Sequence, residues 1–160
     1  MKDIIKGGLT ILAAFLIYSA LHQLSVSVFI GVNVFTIVVI LFGIIEGEIG
    51  GAIMGMVSGL VVDSFSLGIF GLSGIANTIT GFLAGFISRK MNILPLGRMF
   101  VFIGVMGALD LGLWVLLSSV FFSEGIPWGG GFLLVQPVLT AVLGTLGYSF
   151  YRKIKARHER

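Results

Sequence analysis

Few side chains in this chain of 160 residues could do chemistry, and most of them are carboxylates. There are seven Asp and Glu, two His and no Cys. Without cysteine, disulfides, thiol catalysis and Cys-ligated metals are excluded. His22 falls in a short polar turn and His158 in a basic tail, so no His/Asp/Glu group has metal-ligand spacing. No Ser occupies a nucleophile-elbow setting. The glycines from Gly68 to Gly74 are not followed by Lys, as a phosphate loop requires. These patterns predict no catalytic centre, no metal and no cofactor.

Two constellations remain. Asp110 and Asn77 each fall near the middle of a long apolar stretch. Asp110 lies about eleven residues into its stretch, or about 16 Å deep at 1.5 Å per residue. A carboxylate at that depth in a bilayer is expensive, and no Lys or Arg stands at a matching position. Asp110 must then be neutral, face a polar cavity or hydrogen-bond a neighbour, and Asn77 is the neighbour of matching depth. The pair is a satisfied interior contact or a ligand or proton-coupling site. The second constellation is Gly51, Gly55 and Gly59, repeated every four residues, with Asp63 and Gly68 beyond them. Such a stripe lets another helix approach closely. It is either a seam inside the bundle or a docking face for a partner. Asp63, Glu46 and Glu48 fall at helix ends, where carboxylates are ordinarily solvated. Glu48 also suits the positive end of the helix it precedes.

The elements that hold these residues are membrane spans. The chain is 57% hydrophobic and 11% charged, against roughly 25% charged in soluble domains. All ten Lys and Arg fall in three clusters: Lys2 and Lys6; Arg89, Lys90 and Arg98; and Arg152 to Arg160. Basic residues beside spans stay cytoplasmic. An even number of crossings must therefore separate the clusters, and a span needs about 20 residues. Four fit before Arg89 and two after Arg98. The expectation is an all-α integral membrane protein, one domain over residues 1–160. Its six helices fall near 4–21, 28–45, 49–62, 68–88, 99–120 and 131–151, with both termini cytoplasmic. The first stretch lacks a small-residue cleavage site and reads as a retained helix. The basic tail is placed against anionic lipid. The net charge of +3 lies at helix ends and does not point to nucleic acid. Gly71 and Gly74 are expected to loosen the start of the fourth helix, and Pro137 to kink the sixth.

The segment 51–85 resembles the signature of the bacterial rod shape-determining protein MreD family. The resemblance lies in the glycine-spaced helix, Gly59-Leu60 followed by Asp63, Leu67-Gly68 followed by Gly71-Leu72, and Gly81 to Gly85. It implies a non-catalytic, multi-pass component of the inner membrane that takes part in cell elongation. The implied partner is the bitopic shape protein MreC and, through it, peptidoglycan synthases and MreB filaments. The implied fold resembles the substrate-binding subunits of energy-coupling-factor vitamin transporters. Such a subunit is the alternative reading. However, Ala13, Ala14 and Ala20 do not give the Ala-xxx-Ala face those subunits carry on their first helix. A membrane-embedded enzyme is the third class, and it lacks a recognisable site.

Overall fold

The computed structural model describes residues 33–65, 70–91, 93, 95–121 and 132–158. The predicted helix at 4–21, the residues 122–131 between the last two predicted helices and Gly68 lie outside the described residues. Those described form five α-helices and no strand. They are α1 (Val34–Glu46), α2 (Glu48–Phe65), α3 (Leu72–Lys90), α4 (Leu96–Phe121) and α5 (Phe132–His158).

Local chemistry sets the boundaries. Asn33 caps α1, its side-chain oxygen accepting from the Thr36 N–H at 3.2 Å. Gly47, at φ +92°, ends α1 and returns its N–H to the Gly43 carbonyl. Glu48 opens α2 immediately, so a single residue makes the corner. α2 extends to Phe65 rather than stopping near 62. α3 begins at Leu72, four residues later than the predicted start. Gly71 precedes it in the left-handed region at φ +98°, a conformation that favours glycine. Pro95 sits just ahead of α4 and accepts from the Met99 N–H, consistent with proline's place at helix starts. α5 runs through Pro137 and on to His158, beyond the predicted end near 151. The basic cluster after Tyr151 is thus helical as far as His158, since Arg, Lys and Ala are good helix formers and nothing there breaks the pattern.

α3 is the hub. It pairs most extensively with α2 and also packs on α1 and α4, while α5 lies mainly on α4. The main apolar core gathers Ile40, Ala84, Met99, Ile103 and Met106. Outward-facing positions are also apolar: Ile49, Val101, Val120 and Phe150 are each more than 60% exposed. Large exposed apolar surface is the informative departure from a water-soluble fold. Among the described residues one helix, α4, is long and apolar enough by itself to cross a membrane. Its 26 residues span about 39 Å, more than the ~30 Å hydrocarbon core.

Candidate functional site

The glycine stripe is a seam inside the chain. A Cβ built on Gly51 would collide with the Gly81 carbonyl, and one on Gly55 with the Asn77 carbonyl. One on Gly59 would strike the Gly74 backbone. The clashes are reciprocal, because a Cβ on Gly81 would strike the Gly51 carbonyl and one on Gly85 the Gly47–Glu48 backbone. α1 joins the same crossing, since a Cβ on Gly43 would stand 2.7 Å from the Gly81 carbonyl oxygen. Three backbones thus meet where side chains would hold them apart, gaining close van der Waals and Cα–H contact. Of the two readings of Gly51, Gly55 and Gly59, this geometry favours the seam: all three are buried against α3, and that face of α2 is occupied.

Asp63 closes one end of the seam. It was expected to be solvated, yet it is only 6% exposed. Its Oδ2 accepts from the N–H groups of Gly71 at 2.8 Å, Ser73 at 3.1 Å and Gly74 at 3.3 Å. Its Oδ1 also accepts from Ser73 at 3.2 Å. Gly71 has no side chain to cap α3, so a carboxylate from the end of α2 does so. It satisfies N–H groups that a helix start leaves unpaired and lies at the positive end of the dipole. Sequence spacing missed this because the cap comes from eight to eleven residues upstream rather than from the neighbouring position. At the other end, Arg89 donates from Nη2 to the Glu46 carbonyl at 3.2 Å. Its Nη1 stands 3.7 Å from Glu48 Oε2. Both side chains are substantially exposed, and the ion pair is worth little by itself.

The buried polar residues form a cluster between α1, α3 and α4. Asp110 is 5% exposed, Asn77 2%, Thr36 1% and Thr80 0%. The Thr36 hydroxyl donates to Asp110 Oδ2 at 2.7 Å, and the Thr80 hydroxyl to Oδ1 at 3.2 Å. Thr36 Oγ1 also stands 3.4 Å from Asn77 Oδ1. Thr36 therefore joins Asp110 to Asn77. A hydroxyl has one proton, and the shorter contact assigns it to Asp110. The contact with Asn77 then becomes a hydrogen bond if the amide is turned so that its nitrogen donates, an orientation fixed only by the network. No buried side-chain polar atom among the described residues lacks a partner.

Thr36 and Thr80 were not singled out from the sequence. Thr80 was findable, because it lies three residues after Asn77 on the same helix face. Thr36 gave less signal, being one hydroxyl in an apolar run. Several other helical hydroxyls turn back onto their own helix: Ser58, Ser88, Ser118 and Thr145 bond carbonyls three or four residues earlier. Thr36 and Thr80 instead donate across helices. The cluster can fix the mutual register of three helices. Among the described residues no group of three or more His, Cys, Asp or Glu could hold a metal ion.

Compared with known proteins, the chain matches no family model, no curated protein and no solved structure.

Proposed function

We propose that this chain is a non-catalytic, multi-pass protein of the bacterial inner membrane that works by assembling with another membrane protein in the cell-elongation complex. Its partner is MreC, which links it to peptidoglycan synthases and to MreB filaments. The observation that carries the reading is the segment 51–85. Among the residues that carry the resemblance to the MreD family, Gly51, Gly55, Gly59, Gly81 and Gly85 stand where a Cβ would strike backbone, and Asp63 accepts from the N–H groups that open α3. A rigid hairpin of this kind presents a fixed surface to a partner within the membrane. The exposed apolar positions on all five helices support membrane embedding. The three basic clusters support six crossings with both termini cytoplasmic, and lipid is the surrounding partner.

Co-purification from bacterial membranes tests the assembly. Recovery of MreC with the chain, and loss of rod growth when the chain is depleted, are the expected results. Tight binding of a vitamin by the purified protein, together with pairing to a transporter's energising module, would overturn the reading. Topology is checked separately. Reporter fusions after Lys90 and after Trp128 should fall on opposite sides of the membrane, and the same side for both would sink the six-helix arrangement.

A further inference from the structure

Asp110 is the acid of the cluster between α1, α3 and α4, and the protons around it can be counted. Thr36 Oγ1 stands 2.7 Å from Asp110 Oδ2, Thr80 Oγ1 stands 3.2 Å from Asp110 Oδ1, and Thr36 Oγ1 stands 3.4 Å from Asn77 Oδ1. An ionised carboxylate only accepts. Thr36 then spends its proton on Asp110, and the Asn77 amide must turn to complete the third contact. A carboxylic acid completes all three as they stand. Its Oδ2–H donates to Thr36 Oγ1, Thr36 donates to Asn77 Oδ1, and Thr80 donates to the carbonyl oxygen Oδ1. The unequal lengths agree, because a carboxylate draws hydroxyls on both oxygens to about 2.5–2.7 Å.

The described surroundings supply nothing to balance a charge. Asp110 is only 5% exposed. α1 brings Thr36 to it, and α3 brings Asn77 and Thr80. α5 presents Thr140, also buried, to Gly107 three residues earlier on α4. None of these is charged. The nearest ionisable groups along the four helices are Glu46, ten residues from Thr36, Arg89, nine from Thr80, Arg98, twelve from Asp110, and Tyr148, eight from Thr140. Each is about 12 Å or more away along its axis. A buried carboxylate without a cation is strongly disfavoured and takes a proton instead.

We infer that Asp110 is held as the carboxylic acid, that the cluster is a buried proton-binding site pinning the junction of α1, α3 and α4, and that loss of the proton unpins it. On ionisation the proton passes to solvent base and no bond between heavy atoms changes. The link to Thr36 reverses, its hydroxyl donating to Oδ2, and Asn77 Oδ1 is left facing an oxygen. The folded chain thus holds a proton that the unfolded chain, with its carboxyl in water, gives up, and stability falls as pH rises. The inference rests on the geometry of the cluster and not on the identity of a protein partner.

The test is infrared difference spectroscopy of the full chain in lipid at neutral pH, native against Asp110→Asn. The carbonyl stretch of a protonated carboxyl should appear in the native spectrum, shift with isotope-labelled aspartate and be absent from Asp110→Asn. Thr36→Val removes the acceptor of that proton and should move the band to higher frequency. This second variant, with the labelling, assigns the band even where Asp110→Asn fails to accumulate. Carboxylate bands in place of the acid band would overturn the inference, and so would an acid band that Thr36→Val leaves unmoved. The unpinning is read from melting during alkaline titration. The folding equilibrium of the native chain should fall relative to that of Asp110→Asn by up to about tenfold per pH unit, the linkage of one proton. Parallel curves for the two proteins would show that no proton is released from the junction and would overturn the switch.

Discussion

Two regions of α3 hold the bundle together by opposite means. Toward α2, Gly74, Gly81 and Gly85 bring backbone onto backbone with no side chain between. Toward α1 and α4, Asn77 and Thr80 reach out to Thr36 and Asp110 through side-chain hydrogen bonds. The two mechanisms fail differently. A seam built on absent side chains tolerates nothing added, whereas a hydrogen-bonded cluster tolerates exchange of one polar group for another. The seam therefore sets the distance between helices, and the cluster sets their rotation and register.

The largest effect should come from adding one methyl group to the seam. Gly55→Ala places a Cβ on the Asn77 carbonyl and Gly81→Ala on the Gly51 carbonyl, both unyielding backbone. Each should cost at least about 3 kcal/mol, the upper end of overpacking, read as a sharp loss of thermal stability in detergent and of abundance in membranes. A Gly55→Ala protein with unchanged melting would break the account of α2 and α3 as a close-packed pair. Next in size is Asp63→Ala, which leaves the Gly71, Ser73 and Gly74 N–H groups without their acceptor. It should cost about 2 kcal/mol, as expected for a lost cap with charged hydrogen bonds. Asp63→Asn keeps one acceptor oxygen and should cost less than half of that. Hydrogen exchange at the start of α3 should rise in proportion.

The polar cluster should respond more gently. Thr36→Val removes the hydroxyl joining Asp110 to Asn77 and should destabilise by about 1–2 kcal/mol, because buried acceptors lose their donor. Asp110→Asn should be nearly neutral, since an amide still has an oxygen to accept from one hydroxyl and an N–H to give the other. A double-mutant cycle between Thr36→Val and Asp110→Ala, each of which removes one side of the contact, should show coupling of about 1 kcal/mol. Zero coupling would mean that the 2.7 Å contact does not stabilise the fold. If Asp110→Asn protein is stable and abundant but inactive, the charge itself has a role beyond packing.

The sequence foreshadowed these regions unequally. Four-residue glycine spacing marked the α2 face of the seam because helical periodicity turns it into a stripe. What it could not show was the occupant of that stripe. Only the fold reveals that Gly81 and Gly74 meet it, and that Gly43 joins from α1. Asp110 was legible from its depth, as charge inside an apolar helix is costly wherever it falls. Its partners were not, because Thr36 comes from 74 residues away and hydroxyls in helices usually bond their own backbone. Asp63 was misread for a related reason. A solvated end and a cap for the following helix look alike until the connecting turn is placed, and that turn depends on Gly71 at positive φ.

The smallest predicted effect sharpens the comparison by reversing its sign. Gly112 lies within α4, two residues beyond Asp110, and is exposed. A Cβ built on it meets nothing within 4 Å. Glycine in a helix interior costs roughly 1 kcal/mol relative to alanine, because the unfolded chain has more conformations to lose. Gly112→Ala should therefore stabilise the protein by up to about 1 kcal/mol, a rise of a few degrees in melting temperature. Gly55→Ala makes the same chemical change on α2 with the opposite outcome. Comparing the two variants separates helix propensity, which both share, from backbone approach, which only Gly55 experiences. If both proved destabilising to a similar degree, the seam would have no special standing and α4 would require a neighbour at Gly112.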